Sequence, residues 1–217
     1  MRGRTVWDSG KSSTRNPHPS ESEELKSCSS PDQVRRDADD QIFRLLDRQS
    51  DVASCLKVNK TWCLYAFSVL WNRPSVTRAS QVATIARVLN AKEPSLPYAT
   101  AVKRINLSAV TNGPIDDHIF EPWKACVRAE RLTLGKNTKV SARALRTVLK
   151  EMPKLIALDL AKVMLCDDSV IRTLAETCED LQGLNINGCV MVGDEAMKLV
   201  ADKCRSMRRV SSLIAYL

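Results

Sequence analysis

The chain's 217 residues are 44% apolar, enough for one or two domains with a sizeable core, which excludes wholesale disorder. The formal charge of +8 comes with no Lys/Arg block longer than Arg35-Arg36 or Arg208-Arg209 and with only 5% aromatic residues, which disfavours a nucleic-acid partner and leaves a solvated, mildly basic surface. No run approaches the roughly eighteen apolar residues of a membrane span and the start, Met1-Arg2-Gly3-Arg4-Thr5-Val6-Trp7-Asp8, lacks a secretory apolar run, so no membrane partner is expected and the location reads as cytoplasmic and/or nuclear.

Residues 1–33, rich in Ser, Pro and charge, are expected to be a disordered tail, because they cannot bury enough surface to offset the entropy of ordering. Over residues 34–75 apolar side chains recur at helical intervals: Ile42, Phe43, Leu45 and Leu46, then Val52, Cys55, Leu56 and Val58, then Trp62, Tyr65, Leu70 and Trp71. Three short helices fit, the second starting at Ser50 or Asp51, where a short oxygen-bearing side chain caps free amides. Residues 76–99 hold a further amphipathic helix, with Val82, Ile85, Ala86 and Leu89 on one face, and the Pro-rich connector Glu93-Pro94-Ser95-Leu96-Pro97.

Residues 100–217 repeat. The units begin Arg104-Ile105-Asn106-Leu107, Arg131-Leu132-Thr133-Leu134, Ala157-Leu158-Asp159-Leu160 and Gly183-Leu184-Asn185-Ile186, with a fragment at Arg209-Val210, so the first apolar position steps by 27, 26, 26 and 26 residues. Six residues earlier stand Cys126, Met152, Cys178 and Cys204. This period is that of a leucine-rich repeat, in which a short strand, a turn and a helix form one coil that closes its core only against its neighbours. The expected fold is α/β: a short helical segment followed by a solenoid of about four such repeats, incomplete at the C-terminus. Alternation turns residues such as Leu158 and Leu160 inward and the residues between them onto the concave face. Helices are expected at Ala142 to Lys150, Ser169 to Thr177 and Glu195 to Lys203, capped by Ser141, Asp168 and Asp194. The strand at Arg209 to Ser212 has no following helix, so residues 205–217 are expected to be the most mobile of the repeats, with Leu213, Ile214 and Leu217 exposed.

The segment from Asp51-Val52 through Val58-Asn59-Lys60-Thr61-Trp62 to Leu70-Trp71-Asn72-Arg73-Pro74 resembles the second half of an F-box. The repeats carry a cysteine-containing pattern, seen in Leu181-Gln182-Gly183-Leu184-Asn185-Ile186-Asn187-Gly188-Cys189 and Glu130-Arg131-Leu132-Thr133-Leu134. Together they resemble fungal F-box/leucine-rich-repeat proteins of the glucose-repression-resistance type. The resemblance implies a right-handed, ribonuclease-inhibitor-like solenoid and the role of substrate receptor in an SCF ubiquitin ligase complex, serving ubiquitin-dependent protein catabolism. A Skp-type adaptor, and through it a cullin, would bind the F-box; a client protein, often a phosphorylated one, would bind the concave face. The chain departs from the pattern at the F-box start, where Val34-Arg35-Arg36-Asp37-Ala38-Asp39-Asp40 replaces Leu-Pro and its acidic and apolar followers, and in having fewer repeats.

On this reading the adaptor side is Ile42, Phe43, Leu46, Val52, Trp62 and Trp71, apolar residues that three short helices cannot all bury. The client side is Arg104, Asn106, Arg131, Thr133, Asp159, Asn185, Asn187 and Arg209, among which three arginines recur just before an inward position and suit phosphate or carboxylate. For Asn185 and Asn187 turn hydrogen bonding is the competing role. Cys126, Cys178, Cys189 and Cys204 are expected in the core rather than on a metal, since three of them fall in separate coils. His118 beside Asp116 and Asp117 lacks a nucleophile, so no catalytic residues, no cofactor and no enzyme are expected. The alternative is an interaction scaffold of the same architecture without ligase association.

Overall fold

The spacing of 26 residues builds a sheet one strand at a time. The computed structural model describes residues 41–43, 45, 46, 48–111, 113–136 and 139–212. After the helical residues Gln41 to Phe43 come α1 (Gln49–Cys55), α2 (Lys60–Asn72), α3 (Ala79–Leu89) and α4 (Tyr98–Ala101). Strands β1 (Arg104–Asn106), β2 (Arg131–Thr133), β3 (Ala157–Asp159), β4 (Gly183–Asn185) and β5 (Arg209–Ser211) then alternate with α5 (Asp117–Phe120), α6 (Ala142–Lys150), α7 (Asp168–Thr177) and α8 (Asp194–Lys203). A 3-10 turn, Glu121–Ala125, extends α5. The strands pair parallel in the order β1-β2-β3-β4-β5, with Ile105, Leu132, Leu158, Leu184 and Val210 in one unbroken register. The chain is thus a mixed α/β protein with a five-stranded parallel sheet. Among the described residues, those from Phe43 onward cluster as one unit, and Gln41 and Ile42 belong to another.

Strand alternation decides what is buried. Ile105, Leu132, Leu158 and Leu184 are 1–2% exposed, and the second inward row, Leu107, Leu134, Leu160 and Ile186, is equally covered. The helices complete this larger core with residues such as Leu145, Leu149, Ile171 and Leu174. Each such side chain contributes about 1.5–3 kcal/mol of transfer free energy, but only when a neighbouring unit supplies the other wall. Val210, at the same register position in β5, is 45% exposed. Leu213, Ile214 and Leu217 lie outside the described residues.

The opposite edge is covered by the chain itself. Lys103 N–H donates to the Asn72 carbonyl at 3.0 Å and Thr111 N–H to the Thr77 carbonyl at 2.8 Å, so the segment before α3 flanks β1. Residues 76–99, expected to be a helix and connector, also contribute Val76, Val82 and Leu89 to the larger core. Close stacking of the first two units requires a glycine, because a Cβ at Gly135 would stand 2.8 Å from the Ser108 Cα.

Short polar side chains cap α2, α5, α6 and α7, through Asn59, Asp116, Ser141 and Asp167, and three expected starts need correction. Ser141 Oγ accepts from the Ala144 N–H as expected. Asp168 and Asp194, expected as caps, are instead the first residues of α7 and α8; the caps are Asp167, which accepts from the Val170 N–H, and Gly193. Of two adjacent aspartates, the one whose backbone is still extended takes the cap. Likewise α1 begins at Gln49, ahead of Ser50 and Asp51.

Candidate protein-binding surfaces

Because the central residue of each strand is aliphatic and turned inward, its neighbours form two rows on the outward face. The first row reads Arg104, Arg131, Ala157, Gly183, Arg209 and the second Asn106, Thr133, Asp159, Asn185, Ser211. With strands about 4.8 Å apart, Arg131 and Arg209 stand about 14 Å from each other across a floor of Ala157 and Gly183. These residues line a depression of about 360 Å³. Small residues flanked by guanidinium groups leave room for a chain carrying anionic groups, which Arg holds through paired N–H donors.

The second row is partly occupied with local structure. Asn106 Oδ1 accepts from the Ser108 N–H at 3.0 Å, Asp159 Oδ1 from the Ala161 N–H at 3.0 Å, and Asn185 Oδ1 from the Asn187 N–H at 3.2 Å. Each short side chain closes the turn that leaves its strand, as such residues do. Asn187 is not on the sheet face: β4 ends at Asn185, and the Asn187 carbonyl accepts from the Lys162 N–H of the preceding unit.

In the helical segment the structure reverses part of the expected surface. Phe43 and Val52, expected to touch an adaptor, are 4% and 3% exposed at the centre of a second, smaller core with Cys55 and Ala66. The Trp62 ring meets Phe43 edge-on at 5.5 Å and Tyr65 stacks on it at 5.9 Å, an arrangement that aromatic quadrupoles favour. Leu46 and Trp62 are half-buried around that core. Trp71 turns the other way, packing against the larger core with its ring 4.6 Å from Tyr98. Ile42 is 41% exposed. The apolar surface left open on this segment is Leu45, Val58, Leu64 and Val69. Periodicity does not mark Leu64 and Val69 as surface, since α2 is apolar almost all round and its inner face depends on which core claims it.

Elsewhere the polar chemistry is structural. Asp116 Oδ1 caps α5 through the Ile119 N–H, and the Asp117 carboxylate binds Ser141, so both acids beside the exposed His118 are engaged. No model of a known protein family matches the chain. The cysteines form a ladder through the core: Cys204 Sγ donates to the Cys178 carbonyl, Cys178 Sγ to that of Met152, and Cys189 Sγ to that of Leu160. Burial pushes the Cys126 and Cys178 thiols up to about 12. Among the described residues no group of three His, Cys, Asp or Glu is placed to hold a metal, and no helix is long and apolar enough to cross a membrane.

Proposed function

We propose that the chain is the substrate-recognition subunit of an SCF-type ubiquitin ligase, its repeats forming a right-handed leucine-rich-repeat solenoid whose outward strand face holds the client. The observation that carries this reading is the in-register row of Arg104, Arg131 and Arg209 beside a floor of small residues, on a sheet that grows strictly in sequence order. A row of guanidinium groups in one register favours a phosphorylated or acidic client segment laid across the strands. Adaptor contact falls to the helical segment, and there to Leu45, Val58 and Leu64 rather than to the buried Phe43 and Val52.

Co-purification with a Skp-type adaptor tests the reading. Leu64→Asp, which alters a side chain 55% exposed, should abolish capture while leaving the melting temperature within a few degrees. Trp62→Ala is the poorer test, because it strips the ring from Phe43 and loosens the small core. The burial of Phe43 and Val52 favours a second reading, a leucine-rich-repeat interaction scaffold without ligase association. That reading takes over if the wild-type chain captures no adaptor at micromolar concentration while still binding an acidic peptide.

A further inference from the structure

In the turns that leave β3 and β4, Met164, Leu165, Val190 and Met191 are 58, 48, 55 and 57% exposed. They fill the same two repeat positions, following Leu158 and Leu184 at equal distance. The two turns are stacked: the Lys162 N–H donates to the Asn187 carbonyl at 2.7 Å, and Asp167 bridges Met191. Four large apolar side chains therefore lie together, and Met164 and Leu165 stay exposed although a unit stands on either side of theirs. At the corresponding turns of the first two units the surface changes character. Gly113, Pro114, Lys136 and Lys139 line a depression of about 360 Å³ there. Lys162, also exposed, borders the apolar patch on its strand side.

We propose that this row of turns is a docking surface for an amphipathic helix of a partner protein, whose apolar stripe covers Met164, Leu165, Val190 and Met191 and whose carboxylates meet Lys136, Lys139 and Lys162. An added strand is disfavoured, because the amides of Lys162, Val163, Cys166, Cys189 and Val192 already bond within the fold. What the turns offer is side-chain packing, the mode by which a helix lies in a groove. The two methionines suit such a surface, since an unbranched, polarizable side chain adapts to the shape laid on it. Charge points to a protein rather than to an anionic membrane. Lys136 and Lys139 lie in the preceding turn and Lys162 borders the patch, whereas Asp194 and Glu195 are exposed at the start of α8, just past Met191. A negatively charged lipid surface would repel those two acids, whereas a helix with acidic residues on one flank only satisfies the lysines and avoids them.

The probe is a fluorescein-labelled, alanine-based helix of about eighteen residues with leucines at i, i+4, i+7 and i+11 and glutamates along one flank of that stripe. Titrated with the full chain, it should bind with a dissociation constant on the order of tens of micromolar and weaken as salt rises. Met164→Ser combined with Met191→Ser should weaken binding at least about tenfold, and Lys136→Glu combined with Lys139→Glu should do the same. Circular-dichroism melts of both double variants should match the wild type, since all four side chains are at the surface. Arg131→Glu, on the sheet face, should leave this binding unchanged, which separates the surface from the proposed client site. Equal binding by the methionine double variant, or by a probe with lysines in place of glutamates, would overturn the proposal. So would self-association in sedimentation that vanishes in the methionine variant, which would make a second copy the occupant. Pelleting with phosphatidylserine-containing vesicles that depends on Met164 would overturn it in favour of a lipid surface.

Discussion

Asp117 and Ser141 clamp two successive units: the carboxylate accepts both the Ser141 N–H and its hydroxyl, each at 2.6 Å. The same clamp recurs two units later, where Asp168 Oδ1 accepts the Gly193 N–H at 2.7 Å. At the junction between them Ala142 stands in the place of the aspartate and has no carboxylate to give. Asp117→Ala should therefore cost about 1–3 kcal/mol, because it leaves the partly buried Ser141 donors short of an acceptor. A shift of the urea midpoint at constant slope would register this, and an unchanged midpoint would show that water replaces the carboxylate at no cost.

Position within the array should scale the cost of truncation. Leu158→Ala, with units on both sides, should lose about 2–5 kcal/mol. Val210→Ala, 45% exposed, should lose less than about 1 kcal/mol. Hydrogen exchange should run in parallel, with amides 208–212 exchanging faster than 183–187. Equal protection of the two stretches would mean that β5 is covered.

Arg131→Glu should weaken an acidic or phosphorylated peptide on the sheet face and flatten its salt dependence, because it removes one fork of the row and adds a like charge. Its melting temperature should hold, since Arg131 is exposed. Unchanged binding would remove the arginine row from the site.

Alkali should unfold the protein earlier than its surface charges alone would. The Cys126 and Cys178 thiols are pushed up to about 12 by burial from an ordinary value of 9.0, and burial raises Cys204 as well. Between these values the unfolded chain releases protons that the folded chain keeps. Stability is therefore intact below about pH 9 and falls as pH rises toward 12, by up to about 1.4 kcal/mol per pH unit for each thiol. Melting temperatures from pH 7 to 10.5 would show it, and Cys126→Val should flatten the fall. A variant with an identical profile would assign the loss to other groups.

Lys162 holds a left-handed backbone, φ 62°, at the repeat position where the next unit has Gly188 at φ 78°. Lys162→Gly should stabilise the chain by about 0.5–1 kcal/mol, because glycine adopts that conformation without the Cβ clash. A lower melting temperature would instead show that the lysine stem packs on Gly188, whose ideal Cβ position lies 3.4 Å from the Lys162 Cγ.

The repeats were readable because each inward leucine answers to a fixed step: Leu132, Leu158 and Leu184 declare strand, face and register together. The starts of α6, α7 and α8 are readable to within a residue, since Asp167-Asp168 offers two equivalent side chains and only the backbone decides between them. The helical segment was not readable in the same way. Leu45 and Leu46 are adjacent and chemically identical, yet one is 80% exposed and the other packs beside Phe43. Which of them turns inward depends on α2, whose own faces are divided between two cores by contacts distant in sequence. Met164 and Met191 carry no signal for a related reason: a strand pattern says nothing about how far a turn projects.

Helix α2 carries a mechanical consequence. It gives Ala66 to the small core, while Trp71, one and a half turns on, wedges against Tyr98 and the interior of the repeats. A single rod shared by two packed bodies resists twist between them far better than a linker would. Whatever grips the helices at Leu64 is then held at a set bearing to whatever lies across Arg131, as a jig holds a workpiece to a blade. Softening that rod, for instance with Trp71→Gly, would loosen the alignment while each end kept its own grip.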